Sequence, residues 1–498
     1  MQGVLKHTCQ LFYRAGLLLT ISPMLAADTT TTVSKPDNLL IRNVYVISAE
    51  AEVSASTLNV LIKDGRIRAI GDEEYPADKV LQGQQQYLIP GLIDSHVHLE
   101  GVPGLIPKND TESALYQQAL AQIPRSYLYY GFTTLLDLAS TRGLVDDWNS
   151  QSLAPHAQFC FPVLIPGGYP VALMPEDVKP LASQHLLHDH HSHQNSGPSG
   201  NFSPSELIEN AKDQNADCVK VFYETGFGSM RDLPVPSLAI IREVVDAAQG
   251  QSLPVFFHGN SASAYEFGLK AGVDMIVHGL WQAEDLTDTQ RDKLAQQVAK
   301  AGIAVQPTIQ VLVGEKELLN PEFFNQPYSQ AAIPPALLAW YQTDAGQGMA
   351  NTVGKSIGSP KRASAAERYA HANKVYEPII DNVVEFSRQL QMHEGHLVFG
   401  SDTPSGPIYT QFPGLNGHLE IQRWHEVGIE LSEIFRALTI NNARVVGREN
   451  EIGSVEPGKI ANLLLLQSNP LTDISAYDSI SWVVLNGEIV ARDSLASE

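Results

Sequence analysis

Eight short apolar runs set the frame of this chain: LIDSHVHL (92–99), TTLLDL (133–138), AQFCFPVLI (157–165), DCVKVFY (217–223), PVFFHG (254–259), DMIVHG (274–279), GIAVQPT (302–308) and HLVFGSD (396–402). Mostly helical stretches separate them. Strand-like runs that alternate with helices bury their apolar faces as a parallel sheet covered by those helices, and eight such repeats predict a (β/α)8, TIM-like barrel. The rhythm breaks twice. Residues Leu187 to Asn201 are polar and turn-rich and read as a loop. Residues from about 310 to 388, helix-friendly around Ala336–Asp344 and Ala365–Leu390, read as a helical insertion able to cover one barrel end.

Both ends of the chain carry a different signal. From Leu39 to Leu88 short alternating strands turn at Asp64-Gly65, and GSVEPGKIANLLLLQ and SISWVVLNGEIVAR repeat the pattern near the C-terminus with a turn at Asn486-Gly487. The simplest organisation is a small β-sandwich domain built from both chain ends, residues 28–90 plus 446–498, with the barrel at 91–445 inserted into it. A length of 498 residues accommodates both units.

Residues 1–27 read as a cleaved signal peptide. Lys6 and Arg14 give a positive start, residues 15–26 are apolar, and small residues precede Asp28. The apolar run is shorter than the roughly 20 residues a membrane-spanning helix needs, and Pro23 interrupts it. The expectation is a periplasmic or secreted protein with no membrane attachment after cleavage. Removing Lys6 and Arg14 takes the formal charge from −22 to −24. Such acidity argues against nucleic acid and anionic membranes as partners, because both are recognised by Lys and Arg; it leaves a small-molecule substrate, and a homo-oligomer open. Cys9 falls within the cleaved segment, so Cys160 and Cys218 allow at most one disulfide, and the sequence does not say whether they pair.

The chemistry sits at the strand ends. His96 and His98, at i and i+2 in an apolar strand, point to one side. Alone such a pair is weak, but Lys220, His258, His278 and Asp402 lie at the ends of four later strands, where barrel active sites are built. Each has a bland alternative: an edge lysine, a hydrogen-bonded core histidine, a helix-entry histidine, a capping aspartate. Together they need five strands to end in metal-ligand types by coincidence, and an unpaired lysine inside a covered sheet would be a costly buried ammonium.

LIPGLIDSHVHL resembles the first-strand signature of the amidohydrolase superfamily. YYGFTTLLDL, ADCVKVFYETG, FFHG, AGVDMIVHG, VFGSDTPSG and GSVEPGKIANLLLL are similar to its successive landmarks in the same order, from about Asn38 to Arg492. The lysine points to the binuclear subgroup with a carbamylated lysine, prolidase-like or imidazolonepropionase-related. The resemblance implies two divalent metal ions. His96, His98 and Asp402 would hold one, His258 and His278 the other, and a CO2-derived carbamate on Lys220 would bridge them. Zn2+ suits imidazole and carboxylate ligands, with Mn2+, Co2+ or Fe2+ as alternatives. It further implies a hydrolase of amide or peptide C–N bonds, of the kind that cleaves dipeptides or N-acyl amino acids. A hydroxide between the metals would attack, and Asp402 would serve as general base and then acid. Tyr223, three residues after Lys220, is a candidate to hydrogen-bond the oxyanion, with a packing role as its alternative.

Other readings remain open. Cyclic amide hydrolysis and deamination belong to the same superfamily; the deaminases carry a glutamate three residues after the fifth-strand histidine, where this chain has Ser261. Val277 and Asn260 also depart from the patterns of many relatives. A non-catalytic metal-dependent binding protein on the same scaffold is the alternative from another class. The tract His185, His188, His190, His191 and His193 reads as a solvated loop in preference to a metal-capturing one, and His418 as either a pocket residue or a helix-surface histidine.

Overall fold

The computed structural model describes residues 38–498 apart from 100, 175, 177, 192–201, 227–229, 284–285 and 361. The expected signal segment 1–27 and His193 lie outside these described residues. No helix among the described residues is long and apolar enough to cross a membrane.

The two chain ends meet in one sheet. β1 (Leu39–Val46), β2 (Leu58–Lys63), β3 (Arg66–Gly71), β4 (Lys79–Gln82) and β5 (Tyr87–Pro90) come from the first end, and β13 (Leu463–Leu466), β14 (Ile480–Leu485) and β15 (Glu488–Ala491) from the other. Their order is β15-β14-β13-β5-β1-β2-β3, with β4 also on β1. The stitch between the ends is the antiparallel pair β5–β13, which sets Leu88 opposite Leu465 and Ile89 opposite Leu464. A sandwich of two separate sheets was the expectation. Instead hydrogen bonding runs unbroken through β1, whose first half pairs with β4 and whose last residues pair with β5. The register shift between Ile41 and Val44, with Asn43 at positive φ, lets one strand serve both halves. Leu39, Ile41, Val60, Ile62, Leu463 and Val484 fill the core between them.

The middle of the chain forms a seven-stranded, wholly parallel sheet. Its strands are β6 (Leu92–Val97), β7 (Phe132–Asp137), β8 (His156–Pro162), β9 (Cys218–Phe222), β10 (Val255–His258), β11 (Met275–Val277) and β12 (Ala304–Gln306), laid side by side in chain order with helices between most of them. One face packs on the helices through residues such as Val219, Val221, Phe257 and Ile276. The other carries a separate core of Leu136, Cys160, Cys218, Phe256, Met275 and Val277. Cys160 and Cys218 lie directly opposite each other on β8 and β9 and are joined as a disulfide.

The eighth expected strand, 396–402, is not a ladder. It touches both sheet edges through single bridges, Val305 to Leu397 and Val97 to Thr403. It keeps backbone bonds to both edges, with Val398 N–H donating to the Val305 carbonyl at 3.1 Å and Ser95 N–H to the Phe399 carbonyl at 3.3 Å, while side chains take two of its own N–H groups. Phe399 N–H donates to Asn442 Oδ1 at 3.1 Å, and Ser401 N–H donates to Asp94 Oδ1 at 3.0 Å. Gly400 permits this close passage, since a Cβ there would meet the Gln306 amide nitrogen at 2.3 Å and His96 Cβ at 2.7 Å. The interval 310–388 is helical as expected, with helices Ile309–Glu317, Pro327–Ala332, Pro335–Tyr341, Gly348–Ser356 and Ala365–Met392. The last opens on a capping box of Ser364 and Glu367, and its Asn382 amide donates to the Trp281 carbonyl just beyond β11.

Candidate metal centre

Residues from β6, β9, β10 and the segments after β11 and β12 converge at the carboxyl end of the parallel sheet. His96 on β6 and His98 just after it both direct Nε2 at the same carboxylate oxygen, Asp402 Oδ1, at 2.9 and 3.1 Å. These three donors lie within 4.8 Å of one another, a spacing that suits a single divalent ion. Beside them, His258 Nδ1 and His278 Nε2 stand 2.9 Å apart, and Asp402 Oδ2 lies 3.9 Å from His278 Nδ1. Lys220 completes the group from β9. It is 2 % exposed, its Nζ has no hydrogen-bond partner among the described residues, and the ring of Phe222 lies 5.8 Å away.

Two of these residues reach the site only through unusual backbone. Met275 and Val277 face the inner core, so strand alternation alone would turn His278 towards the helices. A φ of +80° swings it back. Asp402 at +54° and Thr308 at +45°, whose hydroxyl meets His278 Nδ1 at 3.1 Å, share this left-handed geometry. Each such residue costs about 1–3 kcal/mol, and such strain clusters at functional sites. Neighbouring carboxylates hold the arrangement. Asp94 accepts from the backbone of His96 and from Ser401. Glu420, from the helix Leu415–Glu426, accepts the N–H groups of Ile309 and Gln310 directly after Thr308.

Burial dominates the electrostatics. It pushes the His96 imidazole down to about 4 and the Lys220 amine down to about 7, and it lowers His258 and His278 as well. His98 is opposed by burial too, but hydrogen bonds to Asp137 and Asp402 outweigh it and raise the ring to about 10. Burial works against the Asp402 carboxylate, while His96, His98 and His278 hold it well below the usual range. Asp94 is pushed up to about 7 by burial. The pocket therefore holds a firm anion at Asp402, beside three imidazoles that resist protonation (His96, His258 and His278), one that its carboxylate partners favour as a cation (His98), and an amine that burial disfavours as a cation. This donor set fits divalent metal ions, and the partnerless Lys220 Nζ fits a group that is completed on binding.

Some expectations need correction. Tyr223 does not face the site: its ring packs on Phe257 and Phe267, because three residues after Lys220 a strand side chain falls on the opposite face. His418 is buried against the Tyr130 ring and directs Nε2 at Asp478 Oδ1 at 3.2 Å, away from any pocket role. Other residues were missed. Glu224, just past β9, lies 3.4 Å from His258 Nε2 and accepts from Asn260 at 2.7 Å, which gives Asn260 a positioning part. Asp137, ending β7, accepts the Leu99 N–H and faces His98. Both are acids at carboxyl ends of strands, and that placement was the available signal. Tyr169 stacks on His258 with ring centroids 4.6 Å apart, and Trp281 lies 5.0 Å from His278; neither carried a local signal.

Residues 385–490 match a family model described as Amidohydrolase family. A dihydroorotase of Clostridioides difficile is 32% identical over 111 residues, 22% of this chain and 24% of that protein. An adenine deaminase of Oleidesulfovibrio alaskensis is 39% identical over 66 residues, 13% of this chain and 11% of that protein. The chain thus spans about a quarter or less of the length of these curated relatives. The likeness in fold is broader: a Xaa-Pro dipeptidase solved with methionine in its active site superposes with a TM-score of 0.59 at 18% identity, over 91% of this chain and 100% of that one. A C-terminal segment that matches the amidohydrolase family model, a fold shared with a solved dipeptidase and a convergent His/Asp set at the sheet's carboxyl end are what this chain has in common with the amidohydrolases.

Proposed function

We propose that the chain is a metal-dependent hydrolase of carbon–nitrogen bonds, acting on an amide or peptide such as a dipeptide or N-acyl amino acid. The observation that carries this reading is the convergence of His96, His98 and Asp402 beside the facing nitrogens of His258 and His278, with a buried, partnerless Lys220. Two divalent ions, Zn2+ first among them, would be held by His96, His98 and Asp402 and by His258 and His278. A bare amine brings no negative charge to such a centre, whereas a carbamate on Lys220 would bring two oxygens and an anion. When bound, the metals supply Lewis-acid polarisation of the scissile carbonyl and water activation near neutral pH.

The chain's own residues do the rest. Asp402, kept ionised by His96, His98 and His278, would accept a proton from the attacking water and return it to the leaving amine. Glu224 holds the far nitrogen of His258 and leaves Nδ1 for the centre, as Thr308 does for His278 through its Nδ1. Tyr169, Phe222 and Trp281 give the surroundings aromatic walls, which suit an apolar acyl or side-chain group.

Deamination is less favoured. Ser261, at the position of the deaminase glutamate, caps the helix Ala262–Ala271 by accepting the Ala264 N–H and offers no proton shuttle. Export to an oxidising compartment, periplasmic or extracellular, belongs to the same proposal and is supported by the Cys160–Cys218 disulfide. The test is amine release from a panel of dipeptides, N-acyl amino acids and cyclic amides by metal-loaded protein. Turnover of at least one linear amide supports the reading, and a fully metallated protein that hydrolyses none of them refutes it.

A further inference from the structure

The loop between β8 and the helix Pro204–Asp213 carries two histidines that the centre above does not use. His190 and His191 both turn Nε2 towards one oxygen of Glu243, at 3.5 and 2.7 Å. Their donor atoms and that of Glu243 lie within 4.8 Å of one another. An ordinary ion pair needs one imidazole per carboxylate oxygen. Two rings, 4.1 Å apart and aimed at the same oxygen, are arranged instead around a point.

The arrangement is anchored. Asp189 accepts the Ser237 N–H at 2.8 Å and the Ser237 hydroxyl at 2.9 Å, and also the His191 N–H at 3.0 Å. Ser237 is the N-cap of the helix Leu238–Gly250, and Glu243 lies on that same helix. One helix therefore carries both the anchor of the loop at Asp189 and the carboxylate that the two rings approach. The side chains are 38–49% exposed, which leaves room for water to complete a tetrahedral shell.

We propose that His190, His191 and Glu243 form a second, surface site for a divalent transition metal ion such as Zn2+, independent of the centre at the sheet's carboxyl end. Two imidazoles and a carboxylate are the ligand types that Zn2+ takes at three-ligand sites. The same loop carries Tyr169, which stacks on His258, so an ion at His190 and His191 would clamp the far part of a segment whose near part borders the main centre.

The test uses the full chain, stripped with a chelator, titrated with Zn2+ by calorimetry and analysed for metal after gel filtration. Wild type is compared with His191→Ala and Glu243→Gln, both surface substitutions. Wild type should retain one more equivalent than His191→Ala, and Glu243→Gln should weaken that equivalent by roughly tenfold or more, as loss of a ligand-shell group does. Equal equivalents and equal affinities in all three proteins would overturn the site. Failure of the main centre would lower the count in all three alike, so the difference between them reports this site alone.

Discussion

Replacing Lys220 by Met is expected to stabilise the metal-free protein while abolishing its function. The amine is 2 % exposed and has no hydrogen-bond partner among the described residues, and burial holds it at about 7 against an ordinary 10.5. At pH 7 the unfolded chain carries this group almost fully charged and the folded one about half charged. At about 1.4 kcal/mol per pH unit the gap amounts to about 4 kcal/mol of stability given up by the wild type. Between pH 7 and 10.5 the unfolded state binds more protons than the folded one, so wild-type stability rises with pH across that window. The advantage of Lys220→Met should therefore shrink to about 1 kcal/mol by pH 10. Met is apolar and close in length, and such swaps cost less than about 1.5 kcal/mol in packing. Urea denaturation of chelator-treated proteins, followed by tryptophan fluorescence at pH 7 and pH 10, reads both numbers. Added Zn2+ should narrow the difference, since the variant keeps the His96, His98 and Asp402 ligands but lacks the group on Lys220 that would complete the centre, and the folded state that binds the ion more tightly gains more by mass action. A variant no more stable than wild type at pH 7, or an advantage that persists unchanged to pH 10, would refute the buried-ammonium argument.

Three further outcomes follow from particular contacts. Gly400→Ala should cost about 1–3 kcal/mol in thermal denaturation and lower metal retention, because its methyl group would collide with Gln306 and His96. Tyr223→Phe should leave turnover unchanged, and a large drop would return the phenol to the site despite its packing on Phe257 and Phe267. Cys160→Ser should lower stability by about 4 kcal/mol in the chain-entropy account of a bridge closing a 58-residue separation, with the reduced wild type behaving alike.

What the sequence made legible was what period and order control. Seven of the eight apolar runs are strands of one parallel sheet, and the two-residue spacing of His96 and His98 brings both rings to one carboxylate oxygen. Counted from Lys220, the same alternation puts Tyr223 on the opposite face, where its ring packs on Phe257 and Phe267 as the alternative reading of that residue had it. His278 is the reverse case. Alternation from Val277 would turn it away, and only a positive φ, invisible in the sequence, brings it in. The run at 396–402 has the composition of a strand and keeps backbone bonds to both sheet edges, yet Asn442 and Asp94 take the N–H groups of Phe399 and Ser401, a long-range substitution that no local pattern announces. Asp137 and Glu224 were single acids at strand ends, easily read as caps. The grouping of His190 and His191 with Glu243 depends on a loop docking on a helix more than fifty residues further along the chain.

The central claim is that Asp402 and its neighbours form one hydrolytic centre. The most direct measurement is the rate of amine release from a hydrolysed amide by wild type and by Asp402→Asn, each loaded to the same measured metal content. Loss of the general base and acid predicts a fall of roughly 10²–10⁴-fold. An Asp402→Asn protein that turns over at the wild-type rate would contradict the account.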